Sequence, residues 1–446
     1  VATRRRKGVR RLGGRRRDEP RRRKAISGHD RRRQRREGVR QVITPVAAGR
    51  RPFDHEIRAG LGDAQALRRE LHRTPRTGGD EEPVARLLAT RLGRAEAPSI
   101  AGGRILRFGP ADGPAVALRA ELDALPIDEE TGVRWASRNG AMHACGHDVH
   151  MAALALAVGC LRKTMPDVPV VALLQPREET YPCGAPDLLG SDEWAGANIG
   201  AVVGGHLQPR LPAGVVSAAP GAVNAASDEF ELTVHGVGGH AAYPHTVEDP
   251  VVAAAAIVGA MQHIVSRRTD PMQPAVVSIG SVRGGQAANI IPNDVRILGT
   301  VRTFDSAQRE DVKSHLEAIG RNVAAGYGCT TTLRIVSGEP VLTNSPDIVH
   351  RLRPNIREQG MSLGEDLRSC GADDFAYYSD AVASVMVFVG TGDGTSSSPG
   401  LHSPRFLPPE SAVEDVARVL LAGFSAANDH LRADMSSRSL SEGSVT

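Results

Sequence analysis

Val168-Pro-Val-Val-Ala-Leu-Leu174 is followed at once by Gln175-Pro-Arg-Glu-Glu179. A continuous apolar run of strand length, without polar alternation, is what a strand covered on both faces requires. Pro176 ends it, because proline has no amide hydrogen to give to a ladder. Three other runs repeat the arrangement. Residues 115–120 lead into Glu121-Leu-Asp123, Ala201-Val-Val203 leads to His206, and residues 384–389 precede His402 by one loop. Helical patterns precede the first of these runs at 63–71 and 82–92, and the strongly apolar 150–161, for which Asp148 is the expected N-cap, lies between 115–120 and 168–174. Such alternation predicts an α/β unit, a central sheet flanked by helices. The polar clusters all fall just past the carboxyl ends of the apolar runs, which is where open α/β sheets bind ligands.

Residues 228–338 carry a pattern of their own. Phe230, Leu232 and Val234 alternate along a strand at 228–236, and a helix follows with Asp249 as cap, Pro250 at its first position and Arg267-Arg268 at its cationic end. Strands at 275–282 and 295–303, a helix at 306–325 with Val312, Leu316, Ile319 and Val323 on one face, and a strand at 330–336 complete the unit. The order β-α-β-β-α-β is that of a split βαβ, ferredoxin-like α+β domain. The chain is thus expected to divide into a catalytic domain at 56–227 and 339–432, an insertion at 228–338, and tails at 1–55 and 433–446.

The net charge of +4 conceals two opposite regions. Residues 1–51 hold 21 basic and 4 acidic residues, a balance of +17, so the remainder is acidic at −13. The Arg-rich segment 1–55 lacks apolar periodicity and is read as disordered. It is a solvated appendage, a non-specific nucleic-acid arm, or the product of an upstream start assignment, the first residue being Val. No specific nucleic-acid binding is expected. No uncharged apolar stretch of about eighteen residues stands outside an amphipathic pattern, so no membrane span is expected. Five widely spaced cysteines argue against a disulfide framework and for a reducing compartment, the cytoplasm.

The chemistry centres on Met142-His-Ala-Cys145-Gly-His147-Asp-Val-His150. A thiolate and an imidazole two residues apart, in a loop opening onto a helix, suit zinc or another late divalent metal. By itself the pair also fits a buried structural cysteine beside a capping histidine. Glu178-Glu179 by itself fits a solvated turn, yet adjacent side chains on extended backbone point apart. One carboxylate can then bind metal while the other approaches bound water as a general base. His206 and His402 taken singly read as surface histidines. Four clusters in one relation to four strands read as a metal site able to activate water against an amide bond.

The chain resembles the di-metal amidohydrolases and peptidases that include aminoacylases, hippurate hydrolases and auxin-conjugate (indole-acetyl-amino acid) hydrolases. The resemblance runs from Leu71-His72 to Leu401-His-Ser-Pro404. It includes Arg119-Ala-Glu-Leu-Asp-Ala-Leu-Pro126, Gly238-Gly-His-Ala-Ala-Tyr-Pro-His245, Asn289-Ile-Ile-Pro-Asn293, Gly299-Thr-Val-Arg302 and Gly371-Ala-Asp-Asp-Phe375. It implies two divalent ions per chain, zinc or manganese before cobalt or nickel. Cys145 would bridge them, with Glu179 and His402 on one metal and His147 and His206 on the other. Glu178 would be the general base and Asp123 would orient a ligand. The insertion would be both lid and dimer interface in a homodimer, its His240 polarising the scissile carbonyl and Asn289 and Arg302 holding a substrate carboxylate. The implied reaction is hydrolysis of N-acyl amino acids or related small amides. An exopeptidase or dipeptidase acting on short peptides is the alternative, and a non-catalytic binding protein on the same fold is the other class. Three departures stand out: Arg177 where a small residue is usual, Thr180–Cys183 in place of a Gly-rich loop, and Glu121 where Asp is frequent. Arg177 would weaken the base if its charge reached Glu178.

Overall fold

The computed structural model describes residues 51–393 and 399–442. Most of the Arg-rich tail lies outside that range, as do 443–446. The first four strands are β1 (Arg104–Phe108), β2 (Ala115–Glu121), β3 (Val170–Gln175) and β4 (Ile199–Pro212). Two short ones follow, β5 (Val215–Ser217) and β6 (Gly221–Asn224). Next come β7 (Ala226–His235), β8 (Gly239–His240), β9 (Ala275–Arg283), β10 (Ile290–Ile291), β11 (Asp294–Thr303) and β12 (Thr330–Ser337). The last three are β13 (Leu342–Asn344), β14 (Ser362–Leu363) and β15 (Ala383–Gly392).

A seven-stranded sheet of order β1-β3-β2-β4-β15-β5-β14 forms the larger unit. Its centre, β3-β2-β4-β15, is parallel, while β1 pairs antiparallel at the edge. Every residue of β2 and β3 is buried. Alternation decides which side each one serves. Val116, Leu118 and Ala120 join the core beneath helices His147–Thr164 and Ala412–Glu442, whereas Ala117, Val171 and Leu173 join Leu188, Phe375 and Tyr378 on the opposite face. Both faces are therefore covered, and the absence of polar alternation follows from that.

Several boundaries move. The first helix is Asp54–Arg73, nine residues longer at its start than the pattern at 63–71 suggests; Asp54 and Glu56 sit at its positive end and Ile57 is wholly buried. Asp148 is not an N-cap. The helix His147–Thr164 is capped by Gly146 at φ 86°, without a side-chain bond. Asp148 is instead wholly buried, accepting from Arg68 Nε at 3.1 Å and contacting His72 Nδ1 at 3.0 Å. At the other end, Ala412–Glu442 continues as helix through most of the segment 433–446 read as a disordered tail. Its backbone stays helical to Glu442 after the apolar face stops, and Ser436 Oγ donates to the Arg432 carbonyl at 2.9 Å.

The insertion is a four-stranded antiparallel sheet, β12-β7-β11-β9, with helices Pro250–His263 and Ser306–Ala325 on one face. Phe230, Leu232 and Val234 meet Ile257, Met261, Val312 and Leu316 there. The strand and helix order is the expected split βαβ, with the small β8–β10 ladder added. By length and composition the helical stretch Pro250–Arg268 is apolar enough to cross a membrane. Here one face of it is buried against the sheet, through Ala253, Ala254, Ile257, Met261 and Ile264, while Val251 and Val252 are exposed.

Candidate metal centre

The carboxyl ends of β2 and β3, the interior of β4 and two loops bring the predicted ligands together; His206 lies within β4 rather than past its end, because the strand runs on to Pro212. Ligand atoms of Cys145, His147 and His206 lie within 4.8 Å of one another, as do those of Cys145, Glu179 and His402 and those of His147, Glu178 and Glu179. The two triads that share Cys145 are the two ligand sets that a bridged pair of ions needs. Gly146 makes this possible, because its left-handed backbone turns the chain sharply between the thiol and the imidazole. His402 holds a positive φ of 64°, unfavourable for a side chain with Cβ, and its N–H donates to the Ala144 carbonyl at 2.9 Å. The two ligand loops are thereby fixed to each other.

Hydrogen bonding shows what the imidazoles are prepared for. His147 Nδ1 lies 2.9 Å from the Asp123 carbonyl oxygen and His206 Nδ1 lies 2.8 Å from that of Leu207. Each Nδ1 is thus the donor, and each Nε2 faces the other candidate ligands. His206 Nε2 is 3.5 Å from Cys145 Sγ, and His147 Nε2 is buried without a hydrogen-bond partner, 3.8 Å from Glu178 Oε2. His402 Nε2 and Glu179 Oε1 approach to 3.1 Å without hydrogen-bond alignment. These orphaned, converging nitrogen, sulfur and carboxylate atoms fit divalent cations.

Electrostatics agree. Burial opposes charge on His147, yet Glu121 and Asp123 outweigh it and push its pKa up to about 10. Burial, then the carboxylates of Glu179 and Glu178, hold the Cys145 thiol well above its ordinary range. A bound cation would neutralise that negative field and keep the sulfur as thiolate. Burial also lifts the Glu178 carboxyl well above the usual carboxylate range, with help from Asp373 and Glu179. Arg177 does not interfere, since its guanidinium pairs with Asp187. Cys183, a stray thiol in the sequence, is buried.

The rest of the predicted set is elsewhere. His240 and Asn289 are exposed and Arg302 is half-buried. None of them lines the cavity of about 280 Å³ that contains Cys145, Glu178, Glu179, His206 and His402. The polar lining residues given no role by the sequence are Gln208, Asn224, Ser369 and Asp373. Gln208 was findable, since residues two apart on a strand share a face and His206 is its neighbour on β4. Asp373 belongs to a buried network around Arg119. The guanidinium donates to Asp373 Oδ1 at 3.1 Å, Asp374 Oδ1 at 2.7 Å and Gln175 Oε1 at 2.8 Å, and it also pairs with Glu121. Glu121 in turn contacts His150 Nδ1 at 2.9 Å.

Known proteins resemble both the sequence and this arrangement. Residues 117–424 match the family described as Peptidase family M20/M25/M40. An N-acetyl-L-cysteine deacetylase of Bacillus subtilis is 38% identical over 68% of this chain and 72% of its own. An N-acetyldiaminopimelate deacetylase of Bacillus licheniformis is 36% identical over 82% and 99%. A solved Bacillus subtilis structure, described as a dinuclear metal binding peptidase from the M20 family, superposes with a TM-score of 0.72 at 29% identity, over 84% of this chain and 99% of that one. With the ligand atoms so placed and the match covering most of its length, the chain belongs to the M20/M25/M40 peptidase family and is a metal-dependent hydrolase of amide bonds.

Proposed function

We propose that the chain removes the acyl group from N-acyl amino acids, with Glu178 as general base. The observation that carries this reading is the pair of ligand triads sharing Cys145, with a carboxylate not needed as a ligand, Glu178, beside them. The deacetylase relatives support the substrate class. Glu179 and His402 would hold one ion and His147 and His206 the other, bridged by Cys145; zinc or manganese suits this mixed donor set. When bound, such ions lower the pKa of water toward about 7 and polarise a carbonyl oxygen. Glu178 accepts the proton of the attacking water on its carboxylate and returns it to the amide nitrogen as the C–N bond breaks. Asp123 orients His147 through its carbonyl and Glu179 through its side chain.

We further propose a homodimer in which His240 of the insertion serves the partner's site by polarising the scissile carbonyl, while Asn289 and Arg302 hold the free carboxylate of the substrate. The support is that His240 stands exposed, away from its own chain's cavity, beside exposed apolar side chains: its ladder partner Ile290 and Tyr243, whose ring lies 5.4 Å from its own, are 59% and 58% exposed. The buried thiol ligand and the free state of all five cysteines suit a cytoplasmic, reducing setting. A panel of N-acetyl-, N-benzoyl- and indole-acetyl-amino acids beside simple dipeptides tests the substrate class. Turnover of the acyl compounds is expected, and cleavage confined to dipeptides would make the chain an exopeptidase.

A further inference from the structure

Asn224 ends β6 and is 7% exposed, yet its Oδ1 has no hydrogen-bond partner among the described residues. It lines the same cavity as Glu178 and Cys145. Leaving a buried amide oxygen unpaired is costly, so such a group in a binding cavity calls for a ligand atom. Its position is fixed on both sides. Leu342 of β13 pairs with it on one side, and on the other the Ser369 N–H donates to the Val223 carbonyl at 2.8 Å while the Ala225 N–H donates to that of Ser369 at 3.1 Å. Val223 is wholly buried in the core beneath the sheet, so alternation turns Asn224 the other way.

Gln208 is the second neutral group. It shares the face of β4 with His206 and is 8% exposed. Its Oε1 accepts from the Arg210 N–H at 3.1 Å, which orients the amide and leaves Nε2 without a hydrogen-bond partner among the described residues. The other polar residues around the cavity include the carboxylates Glu178, Glu179 and Asp373, while Phe388, Leu401 and Ala372 are apolar. An anionic group here would face the carboxylates, and a plain hydrocarbon would leave both amides unpaired. A neutral hydroxyl or carboxamide can accept from Gln208 and exchange a bond with Asn224.

We propose that this cavity receives the acyl half of the substrate and selects short acyl chains bearing a neutral hydrogen-bonding group, read by Asn224 and Gln208. The proposal rests on the N-acyl amino acid reading, with the substrate carboxylate directed to the insertion. The test uses N-butanoyl- and N-pentanoyl-alanine beside isosteres in which the terminal methyl is replaced by hydroxyl. The native enzyme should favour the hydroxyl compounds by about ten- to a hundredfold in kcat/KM, because a site built to bond a hydroxyl discriminates against its absence. Asn224→Leu should abolish or invert the preference, and Gln208→Met should weaken it independently. A native preference for the hydrocarbons, or an unchanged preference in folded Asn224→Leu, overturns the proposal. If only dipeptides are cleaved, the N-acyl reading fails separately. Competition by the paired free acids against dipeptide cleavage then reads the cavity. Inhibition at least tenfold stronger by the hydroxy acid, lost in Asn224→Leu, supports the selection, and equal inhibition by the pair overturns it.

Discussion

The backbone N–H of Glu179 donates to Asp123 Oδ2 at 2.8 Å. Asp123 also receives His147 at its carbonyl oxygen, so one wholly buried residue orients a proposed ligand of each ion. Partners of this kind usually matter about 10–100-fold in metal affinity. Asp123→Ala should lower affinity by that factor in a metal titration, and Asp123→Asn, which keeps an acceptor for Glu179, should lose less. Equal, undiminished affinity in both variants would remove Asp123 from the site.

Glu178 and Glu179 should separate cleanly. Glu178→Gln retains the ions but lacks the proton acceptor, so turnover should drop by at least about 10²–10⁴-fold. Glu179→Ala should instead release metal, visible by elemental analysis. Reversed phenotypes would exchange the roles assigned to the two residues.

Chelation should abolish activity, and about two ions per chain should restore it. The converging carboxylates and imidazoles lose their counter-charge when metal leaves, so the melting temperature should fall as well, and rise with added metal. Full activity in a metal-free preparation would refute the reading.

His72 offers a pH test away from the proposed ligands. It contacts Asp148 at 3.0 Å and Glu129 at 3.1 Å, with Arg68 also on Asp148 and the Trp135 ring 4.6 Å away. Burial opposes its charge, but the two carboxylates prevail and raise its pKa above 6.5. A raised folded pKa gives stability that is complete below the unfolded value and lost as pH climbs through the folded one. The stability difference between native protein and His72→Gln, both metal-loaded, should therefore be largest near pH 6 and shrink by pH 9. Growth of the difference with pH would contradict the ion pairs. Asp148→Asn should cost about 3–5 kcal/mol, since it strands the buried Arg68.

Complementation tests the route of His240. His240→Ala should lose most activity while keeping its metals. Mixing it with Glu178→Gln protein should recover part of the activity in hybrid dimers, each with one intact site. No recovery despite verified subunit exchange would show that the histidine acts within its own chain or not at all.

The sequence alone determined the elements that physics writes locally. Strands β2 and β3 are legible because burial on both faces forbids polar alternation, and the insertion because Phe230, Leu232 and Val234 alternate over a single helix-covered face. The candidate ligands stand out in the sequence because Cys145-Gly-His147, at the start of a helix, and the Glu pair after β3 are unusual donors. Only the tertiary structure decided what each polar group touches. Asp148 reads as a helix cap until Arg68 and His72, some eighty residues earlier, enclose it. Asn224 carries no signal in the sequence, and it gains one only when the cavity forms around it with no partner for its Oδ1 among the described residues. Hydrogen-bond partners and burial are set by long-range packing, and no local spacing encodes them.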